Sequence, residues 1–129
     1  MRMKYIIMLF FVIGLIAVDF IMGIIKAYLG CDMRSSEMRK GGVRKMAELL
    51  IMLTACGFDI GINYLGNYLN CEQLADIGGT FTSVAVFGYL VIMELISILE
   101  NYADINPKAA WASKILKRLR TVNEKEENK

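Results

Sequence analysis

The sequence predicts an all-α membrane protein with three transmembrane helices and a C-terminal basic amphipathic helix. Hydrophobic residues make up 56% of its 129 residues, and the mean hydropathy of +0.44 is high for a water-soluble domain. The apolar residues lie in three runs, at residues 5–29, 47–68 and 80–99. Each run can cross a hydrocarbon core of roughly 30 Å, because a helix needs about 20 residues to do so. We therefore expect residues 1–129 to form a single membrane domain.

The first run begins like a signal peptide, with the cations Arg2 and Lys4 before an apolar stretch. Its length, its internal Asp19 and the lack of a clear small-residue cleavage site instead favour a retained membrane helix. Asp19, Gly23 and Lys26 share one helical face, where Gly23 lets a second backbone approach closely. Two interpretations of Asp19 stay open: a carboxyl packed and hydrogen-bonded between helices, or a carboxyl that lines a water-filled lumen.

A basic loop is predicted at residues 30–45, because Gly30 ends the first helix and the pair Gly41 and Gly42 interrupts the chain before the next one. Loops rich in Lys and Arg beside membrane spans usually lie in the cytoplasm. Anionic lipid headgroups are the expected partner. Nucleic acid is not expected, because no aromatic interleaving or binding motif accompanies the charges. The cations expected to contact lipid are Arg34, Arg39, Lys40, Arg44 and Lys45.

The second run, residues 47–68, carries Asp59 on one face with Asn63 and Gly66, at steps of four and three residues. A short connection follows at residues 69–79, and it contains two acidic residues but no Lys or Arg. The bias of basic residues toward the cytoplasm therefore places this connection on the outer side of the membrane.

The third run, residues 80–99, contains Glu94. A charged group at bilayer depth costs on the order of 3 kcal/mol or more, so it rarely faces lipid. Ser97 and Asn101 lie on the same side of the helix as Glu94 and make that side semi-polar. The opposite side is expected to meet lipid, and the residues assigned to its flanks are Val86, Leu90, Met93 and Ile96.

A basic amphipathic helix is predicted at residues 107–122, with Asn106 as its cap and Pro107 at its first position. Its apolar side chains recur at helical spacing and cations cover much of the remaining surface, which favours a location in the inner headgroup region over a plain solvated helix. The charged residues 123–129 are expected to be a disordered tail. The apolar positions are Trp111, Ile115, Leu119 and Val122, and the residues expected to contact lipid are Trp111, Lys114, Lys117 and Arg118.

The charge distribution predicts a topology with the basic loop and the C-terminus in the cytoplasm. Three spans then place the N-terminus outside, although Arg2 and Lys4 oppose this orientation. If the first run did not cross the membrane fully, the N-terminus would stay in the cytoplasm.

No catalytic or metal-binding constellation is visible in the sequence. The chain has no histidine, and the spacings of Cys31, Cys56 and Cys71 fit neither a disulfide framework nor a zinc site. We therefore predict no enzymatic activity, no metal site and no cofactor. Each span does carry one carboxyl residue with small or polar companions, which indicates a shared interior or a self-associating surface. The residues expected there are Asp19, Gly23, Asp59, Asn63, Glu94, Ser97 and Asn101.

Two segments carry a recognisable pattern. In the first, an Asp is followed by an aromatic residue, a Gly stands four residues after the Asp, and two serines and a Gly-apolar-basic run lie in the basic loop. The second segment, ELISILEN, is followed by Pro107 and the basic C-terminal helix. Over roughly residues 12–120, this pattern resembles the phage holin family that includes clostridial toxin-secretion holins. The matching positions are Asp19, Phe20, Gly23, Ser35, Ser36 and Gly42 to Lys45 in the first segment, and Glu94, Ser97, Ile98, Glu100 and Asn101 in the second.

The resemblance implies that the chain accumulates in the bacterial inner membrane, assembles into homo-oligomers and opens lesions. An endolysin, or in some clostridia a large toxin, then leaves the cell through them. On the residues alone two alternatives stay open. One is a small membrane scaffold that docks a partner through its basic loop and tail. The other is a small ion channel or transporter, which would pass ions but not folded protein.

Overall fold

A computed structural model describes residues 2–30, 35–78 and 81–127, and these residues form five α-helices and no strand. The helices are α1 (Arg2–Gly30), α2 (Ser35–Tyr68), α3 (Glu72–Ile77), α4 (Phe81–Ile105) and α5 (Ala110–Glu127). Three stretches are long and apolar enough to cross a membrane: Met3–Gly30, Met38–Tyr68 and Glu72–Ile105, the last of which contains both α3 and α4. With the C-terminal α5, they confirm the predicted fold class.

Large apolar side chains cover much of the surface of the three long helices. Phe10 on α1, Leu53 on α2 and Tyr89 on α4 are examples, and all three are exposed. A water-soluble monomer rarely exposes a large contiguous apolar surface. In a bilayer the same side chains contact lipid, so the outer faces of α1, α2 and α4 suit a hydrocarbon environment.

The helices divide into two compact units, and α1, α2 and α4 contribute residues to both. Unit 1 consists of residues 1–13 and 42–90, and unit 2 of residues 14–41 and 91–129. In unit 1 the buried side chains recur every three or four residues along a helix, as expected when one face packs inward. They include Tyr5, Met8 and Val12 on α1 and Met52, Ala55, Cys56 and Asp59 on α2. Buried residues of unit 2 are Asp19, Glu94, Ala109 and Ala112.

Helix α2 begins at Ser35, so the prediction of a loop over residues 30–45 is wrong for residues 35–45. The pair Gly41 and Gly42 lies inside the helix. A glycine costs a helix only about 1 kcal/mol relative to alanine. The neighbouring Met, Arg, Lys and Glu residues are good helix formers and offset this cost. Two residues named from the sequence, Cys31 and Arg34, lie outside the described residues.

The connection predicted at residues 69–79 contains the short helix α3, and the C-terminal helix begins later than predicted. Asn106 and Pro107 form a turn rather than a helix start, in which the backbone N–H of Ala109 donates to Asn106 O at 3.0 Å. Proline disfavours helical geometry in the residue before it, so α4 ends at Ile105 and α5 starts at Ala110. Helix α5 then continues to Glu127, through much of the segment predicted to be disordered.

Leu90 is 3% exposed, so its assignment to the lipid-facing flank of the third span is wrong. The reason is helical geometry. Leu90 lies seven residues after the buried Ser83 and four before the buried Glu94, which places all three side chains on one face of α4. The inward face of α4 therefore includes an apolar residue between two polar ones.

Candidate functional site

In unit 1 the carboxylate of Asp59 on α2 caps the N-terminus of α4. Asp59 Oδ1 accepts a hydrogen bond from the backbone N–H of Thr82 at 3.2 Å. Asp59 Oδ2 accepts from the backbone N–H and the hydroxyl of Ser83 at 2.7 Å and 2.5 Å. The first N–H groups of a helix have no partner within the helix, and its N-terminus carries partial positive charge. The Asp59 carboxylate on α2 accepts hydrogen bonds from these N–H groups and interacts favourably with the partial positive charge. These interactions explain how an acidic residue can be 1% exposed.

One turn after Asp59 on α2, Asn63 binds the C-terminal end of α3, the helix that precedes α4. Its side-chain amide donates to Ala75 O in the last turn of α3 at 2.9 Å. The last carbonyl groups of a helix also have no partner within it, so they need an external donor. An acceptor at the start of α4 and a donor at the end of α3 thus come from neighbouring turns of α2.

Two glycines allow this close packing. A Cβ atom on Gly66 would lie 2.4 Å from Ala75 N, and a Cβ on Gly78 would lie 2.6 Å from Asn63 N. Both contacts involve backbone atoms, which cannot move aside as the end of a side chain can. The arrangement of α2 and α3 therefore requires glycine at both positions.

In unit 2 two polar contacts join α1 to α4. Asp19 Oδ1 accepts a hydrogen bond from Asn101 Nδ2 at 3.0 Å, and Lys26 Nζ lies 2.6 Å from Asp104 Oδ2. The contacts follow the same order on both helices, so α1 and α4 run in the same direction within this unit. Gly23 lies between the two contacts, where a Cβ would be 4.0 Å from Asn101 Nδ2.

Glu94 and Ser97 lie on the inward side of α4 in the same unit as Asp19. Glu94 is 1% exposed, and Ser97 is half-buried one turn further along. The predicted polar residues are therefore divided between the units. Asp59 and Asn63 belong to unit 1, whereas Asp19, Gly23, Glu94, Ser97 and Asn101 belong to unit 2.

The acidic residues predicted on the polar faces, Asp19, Asp59 and Glu94, are buried in the structure, but the sequence did not identify their partners. Asp59 and Ser83 are 24 residues apart, and a helix cap supplied by a distant helix has no local sequence signature. Gly78 and Asp104 were also missed. In the described part of the chain, no group of three His, Cys, Asp or Glu side chains is arranged to hold a metal ion.

The cations predicted to contact lipid are mostly accessible. On α2, Arg39, Lys40 and Arg44 are exposed, whereas Lys45 lies largely buried with its Nζ 3.4 Å from Glu48 Oε2. On α5 the Trp111 ring is 55% exposed and its centroid lies 5.5 Å from that of Tyr102. The remaining predicted contacts of α5, Lys114, Lys117 and Arg118, are exposed.

Comparison with known proteins gives one family. The model of the bacteriophage holin family matches residues 3–123 of the chain. No curated protein matches the chain. No solved structure matches it either.

Proposed function

The chain belongs to the bacteriophage holin family, and from this membership we propose that it self-assembles in the bacterial inner membrane and opens lesions that pass folded protein. The released protein is an endolysin, which leads to host lysis, or a large toxin. The family match carries this proposal, and three membrane-crossing stretches in one small chain support it. The proposed activity is non-enzymatic: the chain makes the membrane permeable and breaks no covalent bond.

The polar contacts inside one chain suggest what the closed state is. Asp59 binds the start of α4, and Asp19 binds Asn101, so both carboxyls are used within a single copy. Polar groups that are satisfied internally leave apolar faces for lipid, and a membrane filled with such chains stays impermeable. In the open state these groups would exchange their partners for water or for a second copy. The acids Asp19, Asp59 and Glu94 would then bias the time of opening.

We place the C-terminus in the cytoplasm and the N-terminus outside. The exposed cations Arg39, Lys40 and Arg44 at the start of α2 favour a cytoplasmic position for that end of the helix. Contact with anionic headgroups there would hold the inner ends of the spans at the membrane surface. Arg34, in the same basic segment, is assigned to this contact from its sequence position.

The proposal is tested in a bacterium that makes a cytoplasmic endolysin with no export signal of its own. Inducing the chain should first leave growth unaffected, then abolish the membrane potential and lyse the culture as the endolysin reaches the cell wall. Cells with endolysin alone should not lyse, and cells with the chain alone should lose potential without wall digestion. Loss of potential with the endolysin retained would indicate an ion channel. Retention of both would indicate a scaffold, and either result would overturn the proposal.

A further inference from the structure

Helix α5 carries two apolar stripes, and the rest of the chain covers one of them. Ala112 is fully buried, and Leu116 and Leu119 on the same side of the helix are half-buried. The second stripe consists of Trp111, Ile115 and Val122, which follow one another at steps of four and seven residues. Their side chains are 55%, 42% and 47% exposed, respectively. A helix with an uncovered apolar stripe has a second surface to bury.

Helix α5 runs antiparallel to the C-terminal half of α4. The Trp111 ring lies beside Tyr102, Arg120 pairs with Glu100, and Asn123 Nδ2 lies 3.9 Å from Met93 Sδ. As the chain advances along α5, its partners move back along α4 toward the middle of that helix. The end of α5 therefore lies beside the middle of α4.

This position conflicts with a fully inserted α4. Met93 is twelve residues before the end of α4, which corresponds to about 18 Å along the helix axis. The apolar run of the third span continues to Leu99, so Met93 is at hydrocarbon depth when that run is inserted. The docked α5 would then carry Glu124 and Lys125 into the hydrocarbon, where charged groups are strongly disfavoured.

We propose that α5 exchanges between two binding surfaces: the side of α4 marked by Met93, Glu100 and Tyr102, and the anionic surface of the inner leaflet. The inference rests on the membrane location in the proposed function and adds a regulation to it. Leaving α4 uncovers a flank of the third span, which a second copy can then contact. Docked α5 holds the chain in a single-copy form in which the third span is inserted less deeply than Leu99.

The two surfaces compete for α5. On α4, the Arg120–Glu100 ion pair is exposed, and exposed pairs contribute little. On the membrane side, Trp111 is an interfacial anchor, and Lys114 and Arg118 border the exposed stripe. Each such cation strengthens attraction to an anionic leaflet roughly fivefold. Anionic lipid is therefore expected to draw α5 off α4.

The experiment uses the full chain reconstituted into vesicles that contain brominated lipid, which quenches tryptophan by contact. Trp111 is the sole tryptophan of the chain, so quenching reports the position of α5 alone. In neutral phosphatidylcholine vesicles we expect the lower quenching, because docked Trp111 has one side against Tyr102 and is 55% exposed. Adding phosphatidylglycerol should increase the quenched fraction at least twofold.

Three variants separate the two surfaces. Glu100→Arg places two like charges at this contact and should raise the quenching in neutral vesicles, and adding Arg120→Glu to it should restore the ion pair with reversed charges and return the quenching to the wild-type level. Arg118→Glu makes the same charge change outside that pair. It should lower the affinity of α5 for anionic lipid by more than about tenfold. The quenching in neutral vesicles should not change.

Equal quenching in both kinds of vesicle and in every variant would overturn the exchange, whether α5 stays in lipid or on α4. The measurement needs no lesion. A chain that shows the exchange but never releases protein would refute the proposed function alone, and a chain that releases protein without the exchange would refute the exchange of α5 alone.

Discussion

Asp59 and Ser83 join the second span to the start of the third: one carboxylate oxygen accepts both the backbone N–H and the hydroxyl of Ser83. The residues are 24 positions apart, and both side chains are buried. The contact fixes where α4 begins relative to α2. It also makes Asp59 a structural cap within one copy of the chain.

Replacing Asp59 with alanine should destabilise the fold strongly. The N–H groups of Thr82 and Ser83 would lose their acceptor in a buried setting, and each buried unsatisfied group costs about 1–3 kcal/mol. We expect Asp59→Ala to lower the free energy of unfolding in detergent by about 2–6 kcal/mol. Ser83→Ala is the matched control: it removes one hydroxyl donor and should cost about 1 kcal/mol. Equal stability of Asp59→Ala and wild type would contradict the capping role.

Gly66→Ala should disturb the packing of α3 on α2, because the added methyl would lie 2.4 Å from a backbone nitrogen. Overpacking of this kind costs about 1–3 kcal/mol. Gly61→Ala is the control on the same helix, since nothing lies within 4 Å of a Cβ there. That change should be neutral or stabilise by about 0.5–1 kcal/mol, as alanine favours a helix over glycine. Thermal unfolding of the two variants in one detergent should rank them in this order, and the reverse ranking would disprove the close contact.

The sequence was sufficient to predict the three spans, because length and hydropathy alone define them. It also indicated the polar faces, since Asp19 with Gly23 and Asp59 with Asn63 stand at helical spacing. The partners of these residues depend on which helices pack together, and no local pattern encodes that. Leu90 shows a different failure, in which a residue on the inward face was assigned to lipid. The helical start at Ser35 shows that tolerated glycines do not always end a helix.

Removing the charge of each intramembrane acid should change the time of lysis, by different amounts. Asp59→Asn should act most strongly and advance lysis, because an amide has one acceptor oxygen and would turn its NH₂ group toward the N–H donors of α4. Asp19→Asn keeps an acceptor for Asn101 and should act weakly. Glu94→Gln should also shift the time. Lysis times measured at matched expression test this, and unchanged times in all three variants would remove the hypothesis that these acids bias opening.

Thiol labelling should report the topology. Cys71 is exposed at the start of α3, and Cys56 is buried in α2. With Cys31→Ser and Cys56→Ala, an impermeant thiol reagent added outside spheroplasts should label Cys71. With Cys56→Ala and Cys71→Ser, Cys31 should be labelled only after the cells are opened. The opposite pattern would invert the orientation of all three spans.

Purified chain in vesicles shows whether copies of this chain open a passage for folded protein. The vesicles contain a small fluorescent dye and a folded enzyme, and leakage of both is followed as the amount of chain per vesicle increases. We expect that above a threshold density of chain the dye and the active enzyme leave together. Release of dye with the enzyme fully retained at every density would rule out a passage for folded protein.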